Sequence, residues 1–144
     1  MIPSYKLSHR EALALIDYIR AELETGERGA AIAVADEHGE LLAFLRTDNC
    51  PLSSLNNALN KSFTASRERK ETWAIGQASR EKGFPMTNFG DLRFTGWGGG
   101  VPIVYQGRVV GSVAISGLPE MQDRALAQRA ADWIVQKAEQ GGGE

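Results

Sequence analysis

The chain has 144 residues, 42% hydrophobic and 24% charged, with a net charge of −2 and a single cysteine. That length suits one domain built on one core. Both signs of charge are interspersed without a basic stripe, which argues against nucleic acid as a partner; no apolar run approaches the ~20 residues of a membrane span. Cys50 has no second cysteine to pair with, so an internal disulfide is excluded. The first sixteen residues lack the basic-then-apolar pattern of a secretory signal, and the expected compartment is the cytoplasm.

In chain order, Ser8-His9-Arg10-Glu11 reads as a capping box. Ala12, Leu15, Ile16, Ile19 and Leu23 then recur at helical spacing, predicting a helix over residues 8–25 with Gly26 as its stop. Two apolar runs, Ala30 to Ala35 and Leu41 to Leu45, flank Asp36-Glu37-His38-Gly39 and predict a β-hairpin. A second helix is expected over 52–70, with Leu55, Ala58, Leu59 and Phe63 as its buried face. A third is expected over 71–82, ending at Gly83.

Strands are predicted near 92–96, 101–105 and 108–116, the last two joined by Gln106-Gly107. Pro119 opens a final helix whose apolar stripe runs through Leu126, Ala130, Trp133 or Ile134, and Ala138. The order α-β-β-α-α-β-β-β-α implies an α+β fold on an antiparallel sheet rather than a dinucleotide-binding fold. A single domain is expected over 1–144, with its core at about 6–138 and a flexible tail at 139–144.

The densest glycine run is Gly98-Gly99-Gly100. It leads into a strand, with no Lys-Ser/Thr pair after it and no helix to open, so neither a phosphate loop nor a dinucleotide fingerprint applies. What remains is steric: a tight turn, or a floor against which a backbone or a flat ligand lies.

Asn57, Lys61, Thr64 and Glu68 share one stripe of the second helix, apart from the apolar one. Lys61 is then either an ordinary solvated lysine or an anchor for an anionic group with Thr64 beside it; a desolvated lysine could also serve as a base or Schiff-base former. Asp91 and Arg93 are either an exposed ion pair or, with Lys61, the polar groups of a small cofactor-independent enzyme acting on a carboxylate or carbonyl compound. Trp97 is a core anchor or a stacking platform. His9, His38 and Cys50 show no metal-ligand spacing, and no metal site is expected.

Taken together, several stretches resemble the GlcG/HbpS-like family of heme-binding proteins, which also supplies the C-terminal domain of PduO-type corrinoid adenosyltransferases. They are Asp36-x-x-Gly39-x-Leu41-Leu42 with Arg46 and Asp48, Ala58-x-x-Lys61-x-x-Thr64-Ala65 with Thr72, and Gly99-Gly100-Val101-Pro102-Ile103. Gly107-x-Val109-Val110-Gly111, Ser116-Gly117, and Asp123 with Ala127 complete the pattern over roughly residues 6–137. The resemblance implies a five-stranded antiparallel sheet of profilin-like type, assembly into symmetric homo-oligomers, and heme as the cofactor. Axial donors available to such a heme are His9, His38, Cys50, Tyr105 and the methionines. The implied ligand pocket lies between the helix carrying Asn57, Lys61 and Thr64 and the loop carrying Arg93, Trp97, Gly98, Gly99 and Gly100.

Overall fold

A computed structural model describes residues 1–141. Helix α1 (His9–Leu23) starts where the capping box places it. The Ser8 amide donates to Glu11 Oε1 at 2.8 Å, and the Glu11 amide donates to Ser8 Oγ at 3.2 Å. Strands β1 (Ala31–Asp36) and β2 (Leu41–Arg46) form the expected hairpin. Its turn is closed by Asp36, whose Oδ1 accepts from the amides of His38 and Glu40 at 2.8 and 3.0 Å. Helices α2 (Ser53–Glu68) and α3 (Thr72–Lys82) follow, then a 3-10 turn (Met86–Phe89), strands β3 (Gly100–Tyr105) and β4 (Arg108–Ser116), and helix α4 (Glu120–Gly141). Residues 139–141 of the expected tail are therefore helical, and the rest of that tail lies outside the described residues.

The sheet is antiparallel with order β2-β1-β4-β3 and has four strands, not five. The stretch expected as a strand near 92–96 is irregular. A side chain takes up its backbone groups instead of a ladder: Thr64 Oγ1 donates to the Arg93 carbonyl at 3.2 Å and accepts from the Thr95 amide at 3.1 Å. Phe94 meanwhile packs edge-on to Phe63 and stacks on Phe89. Period-two alternation cannot register such a competitor, because the threonine lies some thirty residues away in sequence.

The alternation along β1 and β4 divides the molecule into layers. Ile32, Val34, Val113 and Ile115 point to one face, where they join Val101, Ile103 and the apolar stripes of α1 and α4 in the main core. At roughly 1.5–3 kcal/mol for each large side chain fully buried, this face supplies most of the hydrophobic stabilisation. The opposite face carries small residues, Ala31, Ala33, Ser112 and Ala114, and α2 lies against it.

That contact corrects the expected face of α2. Leu55 and Leu59 are only half-buried, whereas Lys61, Ser62, Thr64, Ala65 and Ser66 are buried beside Ala58 and Phe63. Small polar side chains let the helix approach closely, and their hydroxyls find partners across the gap. Ser66 Oγ donates to Ser112 Oγ at 2.8 Å, and Ser112 Oγ donates on to the Ser62 carbonyl at 2.6 Å. Ser112→Ala leaves the buried Ser66 hydroxyl without its acceptor and the Ser62 carbonyl without this donor. It is expected to cost about 1–2 kcal/mol in urea unfolding; an unchanged midpoint would show that the chain of hydroxyls contributes nothing.

Candidate functional site

The residues expected to form a pocket do converge, but they close on one another. Lys61 leaves the middle of α2 and passes under the glycine loop, with only 3% of its surface exposed. Its Nζ donates to the Ile115 carbonyl at 2.9 Å and lies 3.5 Å from Asp123 Oδ2. Asp123 stands in the first turn of α4, equally buried, and its Oδ1 accepts from the Leu118 amide at 3.1 Å. The pair thus joins α2, the end of β4 and the start of α4. Burial drives both groups toward neutrality: it pushes the Asp123 carboxyl up to about 6 against the pull of Lys61, and it lowers the Lys61 ammonium against the pull of Asp123.

The glycines form the roof over this pair. Gly99 has φ +126°, and a Cβ there would stand 2.6 Å from the Ile115 carbonyl oxygen and 2.9 Å from Lys61 Nζ. A Cβ on Gly100 would stand 2.5 Å from the Lys61 carbonyl oxygen. The loop is held by hydrogen bonds along its length. The Gly98 amide donates to Glu120 Oε2 at 2.8 Å, the Gly100 amide to Thr72 Oγ1 at 3.0 Å, and the Ile115 amide to the Gly99 carbonyl at 3.0 Å. The expectation that Lys61 faces a pocket is therefore corrected: the missing side chains let the loop settle onto the lysine and leave no slot between them.

The other predicted residues separate from Lys61. Thr64 is buried and bonded to the 93–95 backbone, and Asn57, one turn before Lys61, is half-buried. Arg93 and Asp91 are a two-pronged ion pair, with Nη2 to Oδ2 at 2.9 Å. The Arg93 guanidinium also stacks on the Phe63 ring at 3.9 Å from its centroid. Hydrogen bonds from Arg93 hold Asp91 down at about 2, so this carboxylate is a poor general base near neutral pH. A catalytic set of Lys61, Asp91 and Arg93 is not assembled, since Asp91 pairs with Arg93 while the lysine is bound to Ile115 and Asp123. Trp97 stands out from the loop, 63% exposed. His9 and His38 are exposed, and Cys50 is half-buried with its thiol pushed up by burial. Among the described residues no three His, Cys, Asp or Glu side chains are grouped to hold a metal ion, and no helix is long and apolar enough to cross a membrane.

Asp123 is the residue that sequence reasoning missed as a site member. A signal was there: Asp123, Ala127, Ala130 and Ile134 share the buried stripe of α4, and an acid on such a stripe needs a buried partner.

The fold and this centre define an α+β protein in which a glycine loop is clamped over a buried Lys-Asp pair at the end of an antiparallel sheet. Residues 7–132 match the family described as haem degrading protein, HbpS-like. The chain is 36% identical to protein GlcG of Escherichia coli K12 over 117 residues, covering 76% of this chain and 81% of GlcG. The fold is similar to Klebsiella pneumoniae protein ORFY, with a TM-score of 0.86 at 24% identity over 93% of this chain and 94% of that one. It is also similar to the PduOC protein of a PduOC:heme complex, with a TM-score of 0.81 at 21% identity over 88% and 94% of the two chains. The chain belongs to the HbpS-like family.

Proposed function

We propose that this protein binds and handles haem as a small homo-oligomer. The observation that carries the reading is the family match, which spans nearly the whole domain; the similar fold of a protein captured with heme supports it. A bound haem supplies the redox and ligand chemistry of its iron. The chain must supply a flat apolar surface, cations for the propionates and an axial donor. The inner side of the glycine loop does not fit, because Lys61 fills it. Haem at this loop would lie on its outer surface, against Trp97, with the second wall provided by another copy. The donors His9 and His38 are exposed and reachable from outside, and Tyr105 is half-buried.

The apolar run Val101 to Gly117 is not an open sheet surface, since β4 is central and covered on both faces. The open features are the two edge strands, where Leu41 is 52% and Val104 48% exposed. Unpaired edges with exposed apolar side chains invite a second chain. Light scattering on the purified protein is expected to return a multiple of 15.6 kDa. Titration with hemin is expected to give a saturable Soret shift at a fixed ratio per chain. A monomer at micromolar concentration would remove the oligomer, and a non-saturating spectrum indistinguishable from free hemin would remove the haem reading.

A further inference from the structure

A cleft of about 550 Å³ lies at the opposite end of the main core, between the N-terminal segment, α1, the β3–β4 hairpin and the C-terminal half of α4. Its volume falls in the range of sites that enclose small organic ligands. The floor is core: Leu7, Ile103, Val110 and Ile134 are each 6% exposed or less. One wall is the edge-to-face pair Tyr5 and Tyr105, with ring centroids 5.0 Å apart. The N-terminal segment is strapped in place by the Leu7 amide, which donates to the Val110 carbonyl at 3.3 Å, and by Arg108, which donates to the Pro3 carbonyl at 3.2 Å.

Around this apolar floor cations outnumber acids three to one. Lys6, Arg10 and Lys137 line the cleft, and none of them forms an ion pair among the described residues. The sole acidic lining residue, Glu11, is committed to the cap of α1, where its Oε1 accepts from the Ser8 amide and hydroxyl at 2.8 and 2.9 Å. An apolar floor under a cationic rim is complementary to a molecule with an apolar body and carboxylate ends. A second copy docked here about a two-fold axis would bring the three cations against their own images.

We infer that this cleft binds an amphipathic carboxylate, its apolar body on Leu7, Ile103, Val110 and Ile134 and its carboxylates on Lys6, Arg10 and Lys137. A tetrapyrrole with its propionates and a fatty acid share this chemistry. The site rests on the haem reading only for the first of these sources.

The experiment uses the full chain and three probes, hemin, metal-free protoporphyrin IX and oleate. Oleate is followed by displacement of 1-anilinonaphthalene-8-sulfonate. Two variants probe the cleft: Lys6→Glu/Arg10→Glu reverses the rim, and Ala138→Trp fills the space from the half-buried lining of α4. Lys82→Glu at the end of α3 is the control, and a thermal melt checks that each variant folds. At least one probe is expected to bind once per chain, tenfold or more weakly in the rim reversal and not at all in Ala138→Trp, with the control unchanged. Oleate binding that depends on the cleft, without hemin binding, supports the cleft and removes the haem reading. Hemin binding that ignores both variants overturns the cleft and leaves the haem reading standing. Binding of no probe overturns the proposal, as does a rim reversal that changes only the state of association.

Discussion

Asp123→Asn is expected to lose about 3–5 kcal/mol of unfolding free energy, the scale of a buried ion pair broken from one side. Asparagine keeps an oxygen for the Leu118 amide but withdraws the charge 3.5 Å from Lys61 Nζ. The ammonium then stays under the glycine loop with the Ile115 carbonyl as its remaining partner. Lys61→Met should cost a similar amount, since it strands the carboxylate. Lys61→Met/Asp123→Asn should cost less than the two single changes added together, by about 1–3 kcal/mol, because neither charge is then left behind. Urea unfolding of the four proteins decides it, and an Asp123→Asn variant within 0.5 kcal/mol of the parent, the spread of ordinary surface changes, would show that the pair holds nothing together.

The same pair sets a pH dependence whose sign can be worked out. Asp123 titrates near 3.8 when unfolded and at about 6 in the fold. Across that window the folded state holds a proton that the unfolded chain releases, so the contribution of Asp123 to stability falls as pH rises from about 4 to about 6. Lys61 is lowered from 10.5, so the fold resists its charge, and this opposition is relieved as pH rises toward the unfolded value. Removing the carboxyl in Asp123→Asn should abolish the fall between pH 4 and 6. Retention of that fall would assign it to another group.

Gly99→Ala is expected to be the most damaging single methyl in the loop, at about 3 kcal/mol or more. Two costs coincide there. A φ of +126° is unfavourable for any residue with a Cβ, and that Cβ would meet the Ile115 carbonyl oxygen at 2.6 Å. Gly107→Ala is the control, because Gly107 has φ +77° but nothing within 4 Å of a new Cβ. It should lose only about 1 kcal/mol, the cost of the backbone conformation alone. Equal losses at the two positions would mean that the loop does not press on the Lys61–Asp123 centre.

The elements legible in the sequence were those written in local chemistry. The Ser8–Glu11 box and the apolar stripe placed α1 within two residues of its observed ends. The Asp36–Gly39 turn placed the first hairpin, and Gln106-Gly107 the last. In each case the groups that define the element lie within a few residues of one another, and a short window holds the whole argument.

Where partners are distant, tertiary structure decided. The stretch 92–96 had the composition of a strand, but Thr64 captured its backbone. Lys61 sat on a polar stripe that reads as solvent-facing or pocket-facing. It is buried because α2 lies on the small-residue face of the sheet, and because Asp123, 62 positions along the chain, supplies the opposite charge. Spacing and turn chemistry were enough to give the helices, the hairpins and the antiparallel α+β class, and the family showed through the resemblance of the matched stretches. Only the folded chain decided which polar residues meet each other and which meet solvent. Burial and charge pairing depend on which surfaces pack together, and a periodicity along one segment carries no information about the face of another.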